Sequence, residues 1–151
     1  MKAVLMFLLL FNIANASAQE SGEFQSVEEE LKAYFFAAAR INDVVVLTKF
    51  IEAGFPVDIA NTKGYTALMV ATYQGNAEAF DYLITQQADT CASDKRGNTA
   101  LMAAIFRGEF MLAKKLMSFE CDPEHKNNTG MTAAGFAEMF GRDEVLNYLR
   151  N

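Results

Sequence analysis

The residues of this 151-residue chain that could do chemistry are few, and most of them crowd one short stretch. Cys121, Asp122, Glu124 and His125 lie close together, yet they lack any standard spacing for a set of metal ligands converging on one ion. His125 is the only histidine. It stands beside Lys126 and two asparagines with no nucleophile placed near it, so it reads as a solvated loop histidine rather than a general base. No phosphate-cradling glycine loop and no nucleophile elbow is present. Glu28-Glu29-Glu30 reads as a solvated helix start. Asn127-Asn128-Thr129 fits a glycosylation acceptor, a short motif that matters only in a eukaryotic secretory pathway. The expectation is therefore no catalytic residue, no metal and no cofactor. An enzyme or metal-binding protein built on the Cys121 to His125 loop is the rival reading.

The elements that would position a site come from a repeat. Gly64-Tyr65-Thr66-Ala67-Leu68-Met69-Val70-Ala71 returns as Gly97-Asn98-Thr99-Ala100-Leu101-Met102-Ala103-Ala104, and in worn form as Gly130-Met131-Thr132-Ala133-Ala134-Gly135-Phe136-Ala137. Gly64, Gly97 and Gly130 are 33 residues apart, and Gly75, Gly108 and Gly141 keep the same step. A fixed period in this range marks an array in which each unit buries its apolar face against its neighbours. One period earlier, Phe35 takes the Leu68 position and Ala38 the Ala71 position. Asn42 replaces the turn glycine, as the next most tolerant residue for a left-handed backbone.

In chain order the pattern predicts helices from Val27 through Ala38, Val44–Ala53, Thr66 to Gly75, Ala77–Gln86, Thr99–Phe106, Phe110–Ser118, Thr132–Phe140 and Asp143 to Leu149. Thr66 is a good N-cap, and Gly54 is placed to end the second helix. Asp58 to Lys63, Ala92 to Arg96 and Glu124 to Thr129 are polar, turn-forming loops that project sideways as fingers. The fold class is all-α, a solenoid of four helix pairs at about 31–63, 64–96, 97–129 and 130–151, with the first and last as divergent caps.

A threonine-alanine-leucine opening, a glycine nine positions after the threonine, an antiparallel second helix and a finger loop at this period resemble the ankyrin repeat. The familiar threonine-proline-leucine-histidine signature is altered: Ala67, Ala100 and Ala133 replace proline, and Met69, Met102 and Gly135 replace histidine. Methionine packing is expected where the histidine's polar tie is missing. The resemblance covers about residues 28 to 151 and implies a scaffold whose surface, rather than its fold, sets function.

It also implies where contact is made. The family's usual positions flank the loop glycine and end the first helix of each pair. Here they give Thr62, Lys63, Tyr65, Tyr73, Gln74, Lys95, Arg96, Asn98, Phe106, Arg107, Asn128, Thr129, Met131, Met139 and Phe140, with Arg40 and Ile41 in the first repeat. Aromatics, methionine and arginine are the types enriched at protein interfaces. Met139 and Phe140 have a second reading, as caps of the last repeat. The basic residues contrast with an acidic remainder, so carboxylates on the partner are expected to face them.

Met1 to Ala18 reads as a secretory signal: Lys2, the apolar run Ala3 to Phe11, then Ala16-Ser17-Ala18 before a cut at Gln19. Residues 19–27 form a polar lead-in, and 28–151 the repeat domain. Removing Lys2 takes the net charge from −6 to −7. Such a chain is poorly suited to nucleic acid or anionic membranes. No later segment is long and apolar enough to anchor it. Export would place Cys91 and Cys121 in an oxidising compartment. They fall in neighbouring loops offset by three positions, so a bridge is one reading. Two free thiols is the favoured one, because adjacent repeats stand widely spaced. The leading expectation is a periplasmic, non-catalytic binding protein, a monomer or partner-bound. Small exported ankyrin proteins of this layout resemble two kinds. One accompanies periplasmic catalases in peroxide defence; the other is immunity proteins that block a delivered effector such as a lipase. A secreted, host-directed virulence factor is a further alternative.

Overall fold

A computed structural model describes residues 27–150 of the chain. The expected signal over 1–18 and the lead-in through residue 26 lie outside the described residues, while Val27 is already helical. The chain divides into a small unit, Met1–Tyr34, and a larger one, Phe35–Asn151. Residues 27–34 of the small unit belong to a helix over 27–40 (α1). There Lys32 pairs with Glu28 at 2.7 Å and Glu29 at 3.1 Å. The hydrogen bonds to Glu28 and then Glu29 raise the lysine's pKa above its ordinary value.

The larger unit continues with α2 (Val44–Glu52), α3 (Ala67–Gln74), α4 (Ala77–Thr85), α5 (Ala100–Arg107), α6 (Phe110–Leu116), α7 (Ala133–Met139) and α8 (Asp143–Leu149). All are short, and helices of this length do not hold on their own in water. Two devices set their ends. Thr66, Thr99 and Thr132 are N-caps whose hydroxyls accept from the amides of Met69, Met102 and Gly135. Gly75 and Gly108 end α3 and α5 at φ 72° and 77°, in the left-handed region. Asn42 does the same after α1 at φ 63°.

Packing supplies the rest. α3 lies on α5 and α5 on α7, while α2 meets α4 and α6 meets α8. Like helices therefore stack on like, as a repeat array requires. Ala67 and Ala71, Ala100 and Ala104, and Ala133 and Ala137 are all buried at the same two positions of their helices, so neighbouring backbones approach closely. Met69 and Met102 are buried at the former histidine positions, consistent with methionine packing there. At the first repeat, the Phe35 ring lies 5.7 Å from Phe50 and 5.0 Å from Phe55, closing that end with an aromatic cluster.

Polar ties cross between repeats where the second helix of each pair begins. The Asn76 amide donates to the carbonyls of Ala39 and Arg40, and Asn42 Oδ1 accepts from the Ala79 amide at 2.8 Å. Two periods on, Arg142 donates to the carbonyls of Ile105 and Phe106. Between them stands Glu109, which has no proton to donate. Arg107 Nε instead donates to the Tyr73 carbonyl at 3.0 Å.

Cys91 and Cys121 form a disulfide with a Cα–Cα distance of 5.4 Å. The expectation of free thiols is thus corrected. Equivalent positions in adjacent repeats are a full repeat apart, but these two are not equivalent, and their offset of three lets the loops meet.

Candidate functional site

The fingers are built around a third periodic position that sequence reading missed. Asn61, Asp94 and Asn127 lie three residues before the loop glycines and share their 33-residue step. Each side chain folds its own loop. Asn61 Oδ1 accepts from the amides of Lys63 and Tyr65, Asp94 Oδ1 from those of Arg96 and Asn98, and Asn127 Oδ1 from those of Thr129 and Met131. The fingers are then tied to one another. Lys95 N donates to the Lys63 carbonyl and Asn128 N to the Arg96 carbonyl. Asn127 Nδ2 donates to Asn98 Oδ1 at 2.8 Å.

His125 belongs to this network. It is half-buried, with Nε2 at 2.8 Å from the Gly97 carbonyl, so that nitrogen carries the proton. The expectation of a solvated loop histidine is corrected: the ring is a strut between fingers. Cys121 is held in the disulfide, and Asp122 accepts from the Glu124 amide. The Cys121, Asp122 and His125 side chains of the suspected metal loop are therefore committed to a disulfide, a backbone amide and a neighbouring finger. No group of three or more metal-ligating side chains occurs among the described residues. Asn127, the acceptor of the glycosylation motif, is buried with its side chain committed on both atoms.

Between the fingers and the ends of α3, α5 and α7 runs a groove of about 670 Å³. Met69, Val70, Met102 and Ala103 give it an apolar lining. Its aromatic wall is continuous. Tyr73 and Phe106 stack with centroids 6.2 Å apart, Phe106 meets Phe140 edge-on at 4.9 Å, and Phe140 contacts Phe136. Tyr73 and Phe106 are each 41% exposed despite these contacts. The Arg107 guanidinium lies 4.9 Å from the Tyr73 ring centroid, which holds that ring's orientation. One period after Phe106 stands Met139, yet Phe140, the residue following α7, supplies the next ring.

Of the contact residues expected from sequence, Tyr65, Tyr73, Gln74, Arg96, Asn98, Phe106, Asn128, Thr129 and Phe140 line the groove, as does Arg40. Lys63, Lys95, Arg107, Met131 and Met139 do not. Lys63 and Lys95 are exposed on neighbouring fingers, Arg107 stacks on Tyr73, and Met139 faces solvent. Met131 is half-buried with its side chain 3.0 Å from where a Cβ on Gly135 would stand. Asp94, Asn127 and Phe136 line the groove and were missed, as were the apolar residues Met69, Val70, Met102 and Ala103 of its floor.

A family model for ankyrin repeats, in three copies, matches residues 35–127, more than half of the chain. The chain is an ankyrin-repeat protein. It is similar to an ankyrin repeat-containing protein of Treponema pallidum (strain Nichols), 31% identical over 104 residues, 68% of this chain and 35% of that protein. It is also similar to protein phosphatase 1 regulatory subunit 12A of Mus musculus, 32% identical over 102 residues, 67% of this chain and 10% of that one. A third similarity is to the phosphocholine transferase AnkX of Legionella pneumophila, 35% identical over 71 residues, 46% of this chain and 8% of that one. The chain thus spans about a third or less of the length of these relatives. Ankyrin repeats are in general non-catalytic modules for protein–protein interaction, and this chain carries such a module.

Proposed function

We propose that the chain is an exported, non-catalytic ankyrin-repeat protein that holds a periplasmic protein partner in the groove between its fingers and first helices. The observation that carries the reading is the exposed ring ladder Tyr73–Phe106–Phe140 beside Arg40 and Arg96. Half-exposed aromatics and arginines at the centre of a concave lining are the residue types that anchor protein interfaces. Export is supported by the signal-like pattern of residues 1–18 and by the Cys91–Cys121 disulfide, a bond that persists in oxidising compartments. By resemblance, the partner is a peroxide-defence enzyme of the catalase type.

The test immobilises the chain from Gln19 onward and exposes it to periplasmic extract, in parallel with Tyr73→Ala/Phe106→Ala. Retention of a catalase by the first and not by the second, with equal helical content at the assay temperature, supports the reading. Retention of a delivered lipase effector instead would replace peroxide defence by immunity. Equal retention by the folded double variant would remove the groove from the account.

A further inference from the structure

The charge of the groove goes further than its shape and rests on the groove being the binding face. Four cations stand on or beside it: Arg40 and Arg96 line it, and Lys63 and Lys95 lie on the adjoining fingers. Every ion pair among the described residues lies elsewhere, at Lys32, Lys115 and Arg150. None of the four basic side chains has a hydrogen-bond, ion-pair or ring partner there; the bonds of these residues run through backbone atoms. Asp94 is the only acidic residue of the lining. Its two oxygens already receive the amides of Arg96 and Asn98 and the Asn98 side-chain amide, so it answers to its own loop rather than to the cations. The whole chain carries a formal charge of −6. Unanswered positive charge gathered at one apolar groove of an acidic molecule is therefore a local feature and not a consequence of composition.

We propose that the groove takes an acidic–aromatic segment of its partner, an exposed loop or tail in which Asp or Glu side chains flank an aromatic one. The aromatic side chain lies against Tyr73 and Phe106, where offset or edge contact with rings is favourable. The flanking carboxylates meet Arg40 and Arg96, whose planar forks bind carboxylates in bidentate fashion. Lys63 and Lys95 add attraction at longer range, which speeds encounter and falls with salt.

The test uses three fluorescein-labelled peptides of equal length: alternating Glu and Phe, alternating Lys and Phe, and alternating Glu and Ser. Fluorescence anisotropy with the chain from Gln19 onward should show binding of the Glu–Phe peptide only, weakening as salt rises. Arg40→Glu/Arg96→Glu should weaken it about tenfold, roughly what two exposed ion pairs supply. Arg40→Lys/Arg96→Lys should recover most of the loss, and both variants should melt as the parent does. Equal binding of the Lys–Phe peptide, binding indifferent to salt, or equal binding of phosphatidylglycerol vesicles would overturn the proposal. So would a dimer in sedimentation that the Glu variant dissolves, because a second copy would then fill the groove. Loss of partner capture in Tyr73→Ala/Phe106→Ala together with charge-blind peptide binding would sink the acidic-segment proposal while leaving the groove as the binding face.

Discussion

Asp94 is the one buried charged residue among those described, and its role is to fold a loop rather than to react. Its neighbours in the repeat are Asn61 and Asn127, whose amide oxygens make the same two backbone bonds. The oxygen, not the charge, is what the position needs. Asp94→Asn keeps the two backbone bonds but turns an NH2 toward Asn98 Nδ2, whose own oxygen is held by Asn127, so it should cost about 1 kcal/mol in urea unfolding. Asp94→Ala instead leaves two amides unpaired and should cost about 2–3 kcal/mol. Glu109 is the opposite case. It occupies the position where Asn76 and Arg142 donate to the preceding helix end. Its carboxylate stands against Gly75 at the carboxyl end of α3, where the helix dipole disfavours it, and as the N-cap of α6 it makes no side-chain bond that would offset this. Glu109→Asn should raise stability by about 0.5–1 kcal/mol; a loss in urea unfolding would show that the carboxylate has a partner of its own.

At the scale of the finger and helix pair, the glycines separate conformation from crowding. Gly64 and Gly130 both have φ near 80°. A Cβ on Gly64 would lie 2.7 Å from the Lys95 amide nitrogen, whereas one on Gly130 would meet nothing within 4 Å. Gly130→Ala should thus cost only the left-handed penalty, about 1–2 kcal/mol. Gly64→Ala should cost about 1–3 kcal/mol more, because it also pushes apart two stacked fingers. Equal losses in chemical denaturation would mean that the fingers do not brace one another. Elements were legible in sequence wherever a residue type recurs: the three threonine caps and both glycine series mark the first helices of the last three pairs, α3, α5 and α7. The finger hubs escaped because Asn, Asp, Asn hides one role under two names. His125 escaped because a strut used once leaves no period. The third ring of the ladder was named among the contact residues, but its place against Phe106 was not legible, since Phe140 stands one residue past the position that the repeat assigns to Met139.

For the repeat unit as a whole, stability is a sum over neighbouring interfaces, with one covalent tie added. The Cys91–Cys121 bridge closes a separation of 30 residues. Cys91→Ser/Cys121→Ser, or reduction, should lower unfolding free energy by about 3 kcal/mol while leaving helical content at low denaturant unchanged. The bridge was legible only as the less favoured of two readings, because the pairing joins non-equivalent positions and a register argument weighs the spacing of equivalent ones. The groove, too, belongs to this scale: its wall needs three repeats in a row, and no single repeat shows it. The most direct measurement is titration calorimetry of the retained partner against the parent and Tyr73→Ala/Phe106→Ala. The account predicts affinity about a hundredfold weaker for the variant, the loss of two anchor residues, with helical content unchanged and a stability loss no larger than the broken ring contacts, about 1–3 kcal/mol. Affinity equal to the parent's in a variant that is fully helical at the assay temperature would contradict it.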